Sequence, residues 1–111
     1  MTIRDRVAAI QRELRDSDIQ PARAREMAIE LAGLMPNVHA EVLDAEMAYN
    51  AVLLAAFRTE ETANRAKLAA EVTEEYRRLR MAKDIAKDVS GMKSTLNTVL
   101  RSLETEMRMG A

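Results

Sequence analysis

The residues best suited to chemistry lie in the last third of the chain, and the chemistry they suit is phosphate binding. Turned at about 100° per residue, Arg80, Lys83, Lys87, Ser90, Ser94, Thr98, Arg101, Thr105 and Arg108 share a sector of roughly 80° on one helix. Five of these are cations, four carry hydroxyls, and Asp84, Asp88, Glu104 and Glu106 fall to the flanks. Cations neutralise phosphates and hydroxyls donate hydrogen bonds to their oxygens, so the row could follow a nucleic-acid backbone with little regard for base sequence. Arg77 and Arg78 stand near its start and Tyr76 heads it, which makes Arg77, Arg78, Arg80, Lys83, Lys87, Arg101 and Arg108 the candidate nucleic-acid-binding residues. A solvated face that merely keeps a helix in water has a similar look.

The totals make the segregation informative. Across 111 residues, 17 bases nearly balance 18 acids, for a net charge of −1. From Thr73 to the end there are eight bases and six acids, whereas Pro36 to Val72 holds three and six. With only two Tyr, one Phe and no Trp, any affinity for single strands rests on charge more than on base stacking.

Other chemistries find little support. His39, the only histidine, has Glu41 and Asp44 nearby in sequence. Those offsets are not the three or four residues that bring side chains together on a helix. With no Cys and no second His, a zinc site is not expected. There is no Gly-rich phosphate loop and no recognisable nucleophile–base–acid set, so the expectation is a protein without catalysis, metal or cofactor. The lack of Cys suits a reducing compartment. The charged start "MTIRDRVAAIQREL" is unlike a signal peptide, and no apolar run is long enough to span a membrane.

Helices must carry all of this. Apolar residues make up 48% of the chain, chiefly Ala, Leu, Met and Val, and charged residues 32%, a mixture that favours an all-α fold. Thr2 with Asp5 forms a capping box before a stripe of Ile3, Val7, Ile10 and Leu14. Pro21 opens a second helix that Gly33 should stop, with Ala24, Met27, Ala28 and Leu31 inward. The pair would form an N-terminal helical hairpin over residues 1–35. Arg23 and Arg25 at the start of the second helix also permit a helix-turn-helix reading, although no third supporting helix is evident.

"GLMPN" reads as the main break. After it, Asn37 should cap a helix with Val38, Val42, Ala45, Tyr49, Val52 and Ala56 on its buried face. Leu43, Met47, Leu53, Leu54 and Phe57 widen that face enough to call for neighbours on more than one side. Thr59 could cap a short connector, and Thr73 a last helix from Glu74 to about Met109, roughly 54 Å long. Its seam, Ile85, Val89, Met92, Leu96, Val99, Leu103 and Met107, keeps coiled-coil spacing. The expected architecture is one helical domain, 1–111, in which a long antiparallel, coiled-coil-like hairpin over 37–111 follows the first, and which self-associates through the seam.

The segments "LDAEMAYNAVLLAAF" and "EEYRRLRMAKDIAKDVSGMKSTLNTVLRSLETEM" resemble small helical bacteriophage proteins encoded near recombination and replication functions. More remotely, their plan is similar to the UvsY recombination mediator family, over roughly residues 38 to 108. The resemblance implies a homo-oligomer in the cytoplasm of a bacterial host. It would bind single-stranded DNA through the basic residues of the last helix and help load a recombinase on strands coated by single-strand-binding protein. A rival expectation is a protein–protein adaptor or inhibitor, such as a phage structural adaptor or a blocker of host defence. That protein would dock through Leu53, Leu54 and Phe57 and never touch nucleic acid.

Overall fold

A computed structural model describes residues 2–16 and 19–109. They form four helices, α1 (Ile3–Asp16), α2 (Pro21–Thr59), α3 (Ala63–Glu71) and α4 (Glu74–Met109). The all-α expectation holds. By its internal contacts the chain divides into two compact units, Met1–Pro36 with Lys87–Ala111, and Asn37–Ala86.

Local chemistry starts the helices where the residue types allow. The Thr2 hydroxyl accepts from the Asp5 amide at 3.1 Å and the Asp5 carboxylate accepts from the Thr2 amide at 3.2 Å, the reciprocal bonds of a capping box. Pro21, whose missing N–H would have no partner there anyway, is the first residue of α2. Thr73 caps α4, its hydroxyl accepting from the Tyr76 amide at 3.3 Å. Thr59 does not cap the connector. Its hydroxyl donates back to the carbonyls of Ala55 and Ala56 at the end of α2, and Thr62 caps α3 by accepting from the Arg65 amide at 3.1 Å.

The break expected at Gly33–Asn37 is absent: α2 runs through Gly33 and Pro36 as one helix of 39 residues. A helical glycine costs about 1 kcal/mol and an interior proline about 3. Against this stand Leu31, Leu34 and Val38, all buried, each contributing roughly 1.5–3 kcal/mol. The proline also sits where its damage is smallest. Pro36 and Ala32, whose carbonyl loses its helical donor, are both exposed, so water can satisfy that oxygen.

The first unit has a core of large side chains. Val7 and Ile10 of α1, Ala24, Met27, Leu31 and Leu34 of α2, and Val89, Met92 and Leu96 of α4 are buried there. Ile3, Leu14 and Ala28 are half-buried, so the stripes expected for α1 and early α2 are present. Two ion pairs link α1 to α2, Arg6 with Glu30 at 3.8 Å and Arg23 with Glu13.

The second unit is built differently. Ala45, Leu79 and Ala82 form a cluster against which Val42 and Tyr49 pack, and Val38, Ala66 and Ala70 are also buried. Leu79 and Ala82 lie off the predicted seam. Seam residue Ile85 is only half-buried, as are Val99 and Leu103 in the first unit, and Met107 is exposed. Only the middle of the seam, Val89, Met92 and Leu96, is fully interior, and its cover comes from within the chain.

Candidate nucleic-acid interface

The candidate cations all lie on α4, but they do not have equal freedom. In the second unit, Arg78 is bound on two sides by Glu41 of α2, its Nε donating to Oε1 at 2.7 Å and its Nη2 to Oε2 at 3.1 Å. That fork matches a guanidinium to a carboxylate, and it holds the Glu41 carboxyl below its ordinary pKa in spite of opposing partial burial. Arg78 is therefore tied into the fold. Arg77 pairs with Glu74 one turn back, at 3.2 Å, in an exposed contact that a competing anion could replace.

Arg80 and Lys83 are exposed and, among the described residues, in no ion pair. The Arg80 guanidinium stands 6.0 Å from the centre of the Tyr76 ring, at the limit of a cation–π contact. Tyr76 in turn meets Tyr49 of α2, ring centres 5.4 Å apart and tilted by 47°. Burial pushes the Tyr49 hydroxyl pKa up, with Glu71 and Tyr76 adding to the effect. Tyr76 thus serves the helix packing, and the row has no ring fully free to stack on a base. Glu71, Val72, Thr73, Tyr76, Arg77 and Arg80 line a shallow, open depression at the turn from α3 into α4.

In the first unit, Lys87, Arg101 and Arg108 are exposed and again unpaired among the described residues, as is Lys93 beside them. Arg108 is in the last turn, where a cation also offsets the negative end of the helix dipole. The hydroxyls of the row split into two kinds. Thr98 donates to the Ser94 carbonyl at 3.1 Å and Thr105 to the Arg101 carbonyl at 2.9 Å, so both are occupied by their own helix. Ser90 and Ser94 are exposed and better placed to donate outward.

The arrangement can therefore offer mobile point charges to an anionic polymer, with few fixed hydrogen-bond donors and no specific base reader. Sequence reasoning found the cations but missed the Glu41–Arg78 fork, whose partners are 37 residues apart. The only hint was that both residues flank predicted apolar stripes. Of the residues behind the helix-turn-helix reading, Arg23 is held by Glu13 and Glu26, and Arg25 is exposed. His39 is exposed on α2. No helix among the described residues is long and apolar enough to cross a membrane. Comparison with known proteins returns no family model, no curated protein and no solved structure that matches the chain.

Proposed function

We propose that this chain is a non-catalytic accessory protein of DNA recombination or replication, of phage or prophage origin and acting in the bacterial cytoplasm. It binds the nucleic-acid backbone through the cationic face of α4. The observation that carries the reading is that Arg80, Lys83, Lys87, Arg101 and Arg108 stay exposed and unpaired among the described residues, in a chain where acids slightly outnumber bases. A solvated face gains from mixing its charges, whereas a polyanion-binding face needs its cations unspent. Arg77 can join by exchanging Glu74 for phosphate, and Arg78 shapes the hairpin behind the row. The hairpins expected from the sequence are part of the reading. Arg6–Glu30 with Glu13–Arg23 run in opposite senses along α1 and α2, and Glu41–Arg78 with Tyr49–Tyr76 do so along α2 and α4. Single-stranded DNA and a recombinase or single-strand-binding protein are the partners that follow.

A salt titration tests this. Binding to short single- and double-stranded DNA should be measurable at about 50 mM salt and fall steeply by about 200 mM. Replacing Lys83 and Lys87 with Glu should abolish most of the affinity, and what remains should lose roughly 2 from its log–log salt slope, about one per phosphate contact, with helicity unchanged. No binding at the lower salt, or equal affinity in the variant, removes the row from the mechanism.

A second reading is favoured by a separate observation: Leu54 and Phe57 remain 53% and 43% exposed on α2. An adaptor that docks proteins there would bind no nucleic acid, and the same titration separates the two.

A further inference from the structure

The second unit leaves one face of α2 bare. Leu43, Met47, Leu54 and Phe57 are exposed by 57%, 64%, 53% and 43%. With Asn50, also exposed, they follow one another at steps of four, three, four and three residues and share a sector of roughly 80°. That is heptad spacing, sustained on the outside of a helix whose opposite face already packs Val42, Ala45 and Tyr49 into the core. Among residues 37–59, no Asp, Glu, Lys or Arg enters the sector. An uncharged ridge of this length is unusual on a surface that meets only water.

What covers it is indicated by the charges on its edge. Asp44 and Arg58 both lie along the same side of the ridge, each seven residues from Ala51, and all three are exposed. Among the described residues neither Asp44 nor Arg58 is in an ion pair, and Asp44 adds only to the field at Arg78. This edge is self-complementary under one operation, a two-fold axis across the helix beside Ala51. Two copies of α2 laid antiparallel about that axis bring Asp44 of each against Arg58 of the other, twice by symmetry, with the small Ala51 side chains between them. On the other edge the half-buried Leu53 meets Leu53 of the second copy. The same register brings Glu46 towards Glu60, an unfavourable acid pair that falls at the very end of α2, where Glu60 lies just past Thr59 and can turn away into water. In the seam, Met47 faces Phe57 and Asn50 faces Leu54. A parallel pair loses this match, because Arg58 then faces Leu53 and Asp44 faces His39. Asn50, the polar member, lowers the strength of the pairing and restricts its register.

We propose that a second copy of the chain docks antiparallel on this face, burying Leu43, Met47, Leu54 and Phe57 between the two α2 helices and pairing Asp44 of each copy with Arg58 of the other. The dimer contact is thus on α2, away from the α4 seam, and it stands whether or not the cationic row binds DNA.

Sedimentation velocity on the full chain over a wide dilution series tests it. The wild type should pass from the 12.5 kDa monomer to twice that mass as concentration rises. Leu54→Glu should stay monomeric with unchanged helicity. Asp44→Arg and Arg58→Asp should each weaken dimerisation about tenfold or more, since each creates like-charge pairs at the interface. The double variant, D44R with R58D, should recover the wild-type dissociation constant. A wild type that stays monomeric at every concentration overturns the proposal and leaves the face to a foreign helix. A double variant as weak as the single ones also overturns it, because only antiparallel self-pairing restores the match. Lys83→Glu with Lys87→Glu should leave the dimer untouched, so a failed dimer and a failed DNA reading are separate results.

Discussion

The two compact units bury their helices with opposite materials. The first fills its core with Met27, Leu31, Leu34, Val89, Met92 and Leu96, and the second is lined mainly by Ala45, Ala66, Ala70 and Ala82 around Leu79 and Val38. Many of the large apolar side chains of the second unit, Leu43, Met47, Leu54, Phe57, Leu68, Val72 and Met81, are outside, whereas in the first unit the exposed ones are Ile29 and, near the end of α4, Met107 and Met109. Alanines permit close helix approach but remove little apolar area from water, and stabilisation scales with that area. One unit is therefore sustained by its own burial. The other keeps much of its hydrophobic potential unspent, which is the property a docking surface requires.

Reciprocal substitutions should break this comparison most sharply. Leu96 and Met27 are fully buried, so truncating either to Ala should cost about 2–5 kcal/mol, through lost transfer energy and the cavity left behind. In the second unit the damaging change runs the other way. Ala45 is fully buried among close helices, and Ala45→Leu should cost about 1–3 kcal/mol by overpacking. Denaturant unfolding gives the totals. Native-state hydrogen exchange, read on residues 21–35 and 40–55, shows which unit loosens. If Leu96→Ala is nearly neutral, or Ala45→Leu is accommodated without loss, the two cores do not differ as described.

The contrast between the units is not legible in the sequence, but many of the buried faces are, and the gaps have physical causes. Val7, Ile10, Ala24, Met27, Leu31, Val38 and Ala45 fall on the faces that helical spacing assigns, because burial follows period. The Thr2–Asp5 box and the Thr73 cap are local bonds and read as such. Gly33 and Pro36 misled because their penalties are local, while the burial of Leu34 and Val38 that outweighs them is tertiary. Spacing places the α4 seam on the largest side chains, yet in the second unit the buried edge includes the small Ala82 and runs through Leu79. Spacing alone showed that α2 was too apolar for one neighbour. It did not show that Leu43 and Met47 would be uncovered with Leu54 and Phe57, or that Leu53, expected on the same docking surface, would be half-buried. At the candidate site the row's cations are legible from helical spacing, but Lys93 lies off that spacing and the Glu41 carboxylate that engages Arg78 could come only from coordinates.

A smaller change should widen the difference in the favourable direction. Gly33 and Gly91 belong to the first unit and sit inside helices, with no positive φ among the described residues. A Cβ added at either meets nothing within 4 Å among those residues. Gly91→Ala and Gly33→Ala should each stabilise by ~0.5–1 kcal/mol, mainly by reducing the freedom of the unfolded chain. A thermal midpoint that falls in either variant contradicts the open helical environment.

The smallest effect expected is also the one with a defined pH signature, and it belongs to the second unit. Hydrogen bonds from Arg78 lower the Glu41 pKa, so the folded state holds this proton less tightly than the unfolded chain does. A depressed carboxyl contributes stability above its unfolded pKa of about 4.3, and the contribution is lost as pH falls through the folded value. Both side chains are nearly half exposed, 46% for Arg78 and 45% for Glu41, so solvent screening keeps the pair within ~1 kcal/mol despite its forked geometry. Glu41→Gln should therefore be less stable than the wild type by a few tenths of a kcal/mol at neutral pH, and by more at low ionic strength. The deficit should shrink to nothing well below about pH 4, where the wild-type carboxyl is itself protonated. Asp5, also held below its ordinary pKa by its bonds to Thr2, titrates in both proteins and cancels in the difference. A deficit independent of pH would mean that the introduced amide disturbs packing instead of charge, and the fork would then contribute nothing as an ion pair.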